Sequence, residues 1–323
     1  MNTETLPLPA TLLRSPGTES VTTAAPWLSA NARNVLAWLT LCGIWGSTWL
    51  AIKVGLADLP PFSFAGIRFV VAASALFAAC GATRLPLLPT HRGDWKFLAW
   101  TGFLTFTMNY GLLFWGEQYI SSGLAAVLQA TIPMFGLLIA HFYLPAEPLT
   151  LPKTAGALLG LSGVGVIFSH QLHAAGALAF WGSVAVVLGA LSVAHANVVI
   201  KARGAHLSPA VMAAWQMAFG LVPLLAVGFL REGNPLALHW TLPAVGCLLY
   251  LALVGSALAF YLSYWLVRRM AVTKTMTIAL VTPGVAVALG WVVLGETLSW
   301  RTLAGGLCVL AGVGLIVRRG RAG

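Results

Sequence analysis

The chain has 323 residues, of which 59% are hydrophobic and 8% charged, with a net charge of +10. Soluble domains carry about 25% charged residues, so water cannot be the solvent for most of this surface and lipid must be. The positive charge does not indicate nucleic acid, because the basic residues sit in short gaps between apolar runs and form no stripe with interleaved aromatics.

The first 34 residues are rich in Pro, Thr and Ser. They lack a basic start leading into an apolar core, so they read as a cytoplasmic tail and not as a secretory leader. Ten apolar runs follow, at about 35–55, 62–81, 95–116, 121–144, 153–170, 176–200, 208–230, 241–266, 273–294 and 300–317. Each approaches the roughly 20 residues that cross a bilayer as a helix. The breaks carry turn residues, among them Asp58-Leu-Pro-Pro61, Arg84-Leu-Pro86, Pro145-Ala-Glu-Pro148 and Gly295-Glu296. The expected fold is an all-α integral membrane protein with ten transmembrane helices. The cysteines, Cys42, Cys80, Cys247 and Cys308, all lie within apolar runs and read as small buried hydrophobes.

Basic residues orient such a chain. With the N-terminus in the cytoplasm, fourteen Lys and Arg fall on the inside and three, Lys53, Arg231 and Arg301, on the outside, while Arg68 lies within a span. Both termini are then cytoplasmic.

The sequence also repeats itself. Ala155–Ile167 and Ala304–Ile316 agree at eight of thirteen positions, 149 residues apart. Upstream of them, Pro133 and Glu147 are echoed by Pro283 and Glu296, and Lys53 by Lys201. The chain therefore divides into five-helix units at 35–173 and 174–323. Five is odd, so the second unit enters the membrane from the opposite side. Inverted repeats of this kind underlie alternating access in secondary transporters, with the solute site near the midplane between the halves.

Several polar or aromatic side chains fall within the runs. Trp45, Thr48 and Trp49 share one helical face at spacings of three and four. Asn109 and Tyr110, Gln129 one turn before Pro133, Asn197, Tyr261, and Thr282 beside Pro283 complete a candidate solute cavity. Paired prolines free backbone carbonyls near the midplane. The spacings of Gly156, Gly160, Gly163, Gly165, Gly312 and Gly314 suit close helix packing. Arg68, about six residues into its span, needs a partner or a wet cavity. Asp58 and Glu117 stand on the same side, and the arginine is a candidate gate or carboxylate anchor. His195 is a candidate proton site, and Lys53 joins these gating candidates.

Taken together, Trp45-Gly-Ser-Thr-Trp49 with Lys53, Phe62 with Arg68-Phe69, Pro133, Glu147, Gly156 and the Pro283, Glu296, Gly305, Gly312-Val-Gly314 series resemble the EamA-type carriers of the drug/metabolite transporter superfamily. The resemblance covers about residues 35–317. It implies a ten-helix carrier of the bacterial inner membrane that exports amino acids or other small metabolites through a central cavity. One departure is that Val193-Ala-His-Ala-Asn197 stands where the second unit would repeat the tryptophan motif.

The expected function is secondary export of a small zwitterionic or apolar solute, driven by a coupling proton, by exchange or by facilitated diffusion. A non-transporting sensor or assembly subunit, or an importer, is the alternative. No HExxH or GxSxG occurs, so no enzyme is expected. Nor does the sequence call for a cofactor, a metal or a nucleic-acid partner. His170 and His173 alone do not complete a metal site.

Overall fold

The computed structural model describes residues 30–89, 91–143, 150–170, 176–267, 269 and 278–319. Glu147, His173, Lys274 and Thr277 lie outside the described residues. Ten helical rods account for nearly all the rest, and no strand occurs among the described residues. They are α1 (Ala30–Gly55), α2 (Pro61–Ala82), α3 (92–117), α4 (Ser122–Tyr143), α5 (Leu151–His170), α6 (Gly176–Arg203), α7 (Pro209–Glu232), α8 (242–267), α9 (Ile278–Leu294) and α10 (Trp300–Arg319). Seven of them, α1, α2 and α4 to α8, are long and apolar enough to cross a membrane. α9 and the Trp300–Ile316 stretch of α10 are shorter apolar helices. α3 carries Lys96, Thr101, Thr105, Thr107 and Asn109, which make it the most polar of the rods.

Three rods depart from a plain α-helix. α3 runs as α over Arg92–Gly102, as a wide π turn over Phe103–Asn109, and as α again over Tyr110–Glu117. α8 does the same, with its π segment at Tyr250–Leu258. α4 is interrupted after Gln129 and resumes at Ile132. Pro133 explains this break. It has no N–H to offer and its ring crowds the carbonyl four residues back. Thr131 closes the gap locally by donating its hydroxyl to Leu128 O at 2.6 Å. Pro283 causes no such break in α9.

Packing is closest where small residues meet. α5 lies against α10 through the two repeated segments. A Cβ built on Gly156 would fall 2.6 Å from the carbonyl oxygen of Gly312, and one on Gly305 would fall 2.6 Å from that of Gly163. No real Cβ fits there, so the backbones touch, as small-residue stripes permit in lipid. Gly165 and Gly314 face away, with nothing within 4 Å. The pairing crosses over: Gly156 meets the repeat equivalent of Gly163, and Gly163 meets the repeat equivalent of Gly156. The central core is aromatic and joins α2, α3 and α8. Phe69 packs edge-on against Phe106 and Tyr110, each at 4.9 Å, and Phe106 lies 5.0 Å from Phe260.

Candidate functional site

α2 carries Arg68 into the core. The helix starts at Pro61, where a fixed φ suits the first turn. Its free N–H groups are capped from α7, since Phe62 N and Ser63 N donate to the Glu232 carboxylate at 2.9 and 2.7 Å. Seven residues on, about 10 Å along the axis, Arg68 is 1% exposed. Its Nε donates to Ser256 Oγ at 2.8 Å and its Nη2 to Gly255 O at 3.4 Å. Both acceptors belong to the π segment of α8, where Ser256 in turn donates to Leu251 O at 2.9 Å. Thr48 presses against Gly255 so closely that a Cβ there would be 2.8 Å from the threonine methyl. The guanidinium carbon lies over the rings of Tyr110, Phe69 and Phe114 at 4.9, 5.3 and 5.7 Å. Such contacts favour a desolvated cation. Nη1 has no acceptor at hydrogen-bonding geometry, and the Tyr110 phenol sits close enough to interact with the guanidinium.

The two acids expected to answer Arg68 behave differently. Asp58 accepts a hydrogen bond from Thr241 Oγ1 and stands 3.6 Å from His239 Nδ1, fastening the α1–α2 turn to the start of α8. Glu117 lies on the same face of α3 as Tyr110 and Phe114, at helical spacings of seven and three. It is 0% exposed, and neither carboxylate oxygen has a hydrogen-bond partner.

Lys53 is near this acid but is already engaged. Its Nζ donates to Glu117 O and Ile120 O, both at 2.7 Å, and to Gln118 O at 3.4 Å. Lys53 thus caps the C-terminus of α3, where carbonyls lack intrahelical partners. Glu296 makes the complementary contact at the start of α4. It accepts from Ser122 N at 2.9 Å and Ser122 Oγ at 2.7 Å. The preceding Gly295, at φ +64°, turns the chain so that the acid reaches across.

The remaining sequence candidates divide into two groups. Trp45, Thr48 and Trp49 lie on α1 beside the Arg68 region. Trp45 meets Phe260 at 5.9 Å, and the indole N–H groups of Trp45 and Trp49 are buried without acceptors. Ser47 shares a 2.6 Å hydrogen bond with Tyr250 Oη. Gln129 donates to Asn109 Oδ1 at 2.8 Å, tying α4 to α3 next to the break. The others stand apart. His195 packs against Trp100 and Tyr143, both exposed, at ring distances of 6.4 and 5.5 Å. Asn197 and Tyr261 are exposed on the bundle surface, and Thr282 is half-buried. Sequence reasoning missed Ser256, Tyr250 and the capping acid Glu232, and it singled out Glu296 as a repeated residue without its capping role. It also missed the chain in which Tyr264 donates to Gln216 and Gln216 to Thr101, at 2.9 and 2.8 Å.

Long apolar helices packed around a buried cation, with only short connections among the described residues, mark a membrane-embedded protein. Comparison with known proteins agrees and is more specific. The EamA-like transporter family matches twice, at residues 33–169 and 180–318, and the chain belongs to that family. The uncharacterized transporter YoaV of Bacillus subtilis (strain 168) is 32% identical over 84% of this chain and 91% of its own length. The uncharacterized inner membrane transporter YedA of Escherichia coli (strain K12) is 31% identical over 79% of this chain and 81% of its own. A protein named as a probable terminal-alkyne amino-acid exporter of Streptantibioticus cattleyicolor is 32% identical over 85% of this chain and 90% of its own. One crystal structure shares the fold, with a TM-score of 0.64 at 19% identity, over 90% of this chain and 99% of that one. Among the described residues, no group of three or more His, Cys, Asp or Glu could hold a metal ion.

Proposed function

We propose that the chain is a secondary carrier of the bacterial cytoplasmic membrane that exports amino acids or related small zwitterions. In this reading ten spans form two inverted five-helix units, residues 35–173 and 174–323, with both termini in the cytoplasm. The observation that carries the solute class is Arg68. It is buried, held by Ser256 of the other unit, walled by aromatic rings, and left with one guanidinium nitrogen free. A solute carboxylate is the natural ligand for such a group. The crossed pairing of Gly156 with Gly312 and of Gly163 with Gly305 supports the inverted arrangement, since a local two-fold between α5 and α10 would produce it. The fourteen-to-three distribution of basic residues supports the orientation. The relative named as a probable terminal-alkyne amino-acid exporter supports the direction.

Metabolite profiling of the medium and cytoplasm tests this reading. It compares cells that lack the protein, overproduce it, or overproduce Arg68→Gln. A small set of amino acids is expected to move outward with expression of the natural sequence and not with Arg68→Gln. If no such compound moves, with the protein verified in the membrane, amino-acid export is wrong.

A further inference from the structure

Four charged side chains gather near the end of α3 that carries Glu117, three of them acting on Glu117 itself. They are Lys53 from α1, Arg68 from α2, Glu117 itself, and Glu296 from the turn before α10. Two are satisfied: Lys53 by the carbonyls of α3, and Glu296 by the first turn of α4. The other two are not. Arg68 Nη1 lacks an acceptor, and both oxygens of Glu117 lack a donor, although all three atoms are buried. Groups of this kind are rarely left unpaired in a folded protein without a reason. Here one is a cation and the other an acid, and they are not bonded to each other. The ring of Phe114, three residues before Glu117 on α3, lies 5.7 Å from the Arg68 guanidinium carbon, and that of Tyr110, one turn further on, lies 4.9 Å from it.

We infer that Arg68 and Glu117 are the two ends of a zwitterion site: Arg68 Nη1 takes the carboxylate of the solute, Glu117 takes its ammonium group, and a proton competes with that ammonium for Glu117. The inference rests on the carrier reading above and adds its coupling. In the empty, closed site Glu117 holds a proton, because an ionised carboxylate with no donor is the state that burial opposes most strongly. When a zwitterion binds, the O–H bond of Glu117 breaks, its proton leaves to water, and the carboxylate pairs with the solute ammonium. When the solute leaves, a proton from the side then open restores the neutral acid. Proton and solute therefore occupy the site alternately, which is antiport of one proton per zwitterion. Arg68 stays charged throughout.

The test uses the full-length protein, purified and reconstituted in liposomes. The probes are isotope-labelled L-alanine, L-threonine, L-leucine and L-phenylalanine, with their N-acetyl and carboxamide derivatives as competitors. The unaltered protein is expected to move at least one of the four. Both derivatives should compete about tenfold or more less well, because each removes one charged end. In weak buffer, adding the transported amino acid should release up to one proton per protein. Its affinity should fall about tenfold for each pH unit on the acid side. Glu117→Gln should lose both the release and the pH dependence, and Glu117→Asp should keep them. Proton release that survives in Glu117→Gln, or an N-acetyl derivative that competes as well as its parent, overturns the inference and leaves the carrier reading intact. Should Glu117→Gln fail to fold, the N-acetyl competition and Glu117→Asp decide the matter. Failure of the unaltered, folded protein to move any of the four removes the amino-acid reading and this inference with it.

Discussion

Replacing Lys53 by Met asks how much of the bundle depends on one capped helix end. The methionine keeps most of the apolar stem and removes the charge. Lys53 Nζ makes two short hydrogen bonds, at 2.7 Å to Glu117 O and 2.7 Å to Ile120 O, and a weaker one at 3.4 Å. A hydrogen bond to a charged group contributes about 1.5–3 kcal/mol. The ammonium is half-buried, so the lower value applies, and two such bonds give about 3 kcal/mol. The favourable contact of a cation with a helix C-terminus lies within that sum and is not additional. Equilibrium unfolding in mixed micelles, titrated with SDS, should show Lys53→Met less stable by about 3 kcal/mol. Lys53→Arg should recover part of the loss, because it keeps a donor at the helix end. A Lys53→Met protein within about 0.5 kcal/mol of the original would refute the reasoning and return Lys53 to the list of gating residues.

The other predictions concern separate contacts. Ser256→Ala deprives the buried Arg68 Nε of its acceptor, and the same unfolding assay should show a loss of about 1.5–3 kcal/mol. In a double-mutant cycle with Arg68→Met the two losses should fail to add. Gly156→Val and Gly305→Val occupy equivalent places in the α5–α10 contact, so each should cost at least about 1–3 kcal/mol from overpacking, and by similar amounts. Unequal losses would count against a local two-fold. Glu296→Ala removes the cap on α4 and should lower stability by about 1–2 kcal/mol, read as a drop in Tm. For topology, single cysteines at Asp58 and His206 should react with an impermeant thiol reagent from opposite sides of the membrane, Asp58→Cys from outside and His206→Cys from inside.

Much of this architecture is legible in the sequence because lipid imposes a simple rule. A helix that must satisfy its own backbone shows up as a long apolar run, and the observed rods follow the expected runs closely. α1 begins at Ala30, five residues before its run, because helix formation does not require apolar residues at the membrane edge. The break in α4 was half visible: Pro133 marks it, but its position two residues earlier depends on Thr131 and Leu128. The π turns of α3 and α8 leave no mark on hydropathy. Glu117 stands at the end of a run and reads like a loop acid. Only the fold reveals that Lys53 closes over that helix end and leaves the acid dry. His195 shows the reverse effect. Its depth in the run suggested the centre, but depth does not give helical phase, and α6 turns it toward Trp100 and Tyr143.

The π turns also bear on the history of the chain. A π turn is what remains when one extra residue is accommodated in an α-helix without breaking it. The two turns, at Phe103–Asn109 and Tyr250–Leu258, fall at matching places in the two segments that the family matches. The same insertion arising twice at one place is far less economical than a single event. One event shared by the two matched segments accounts for both turns.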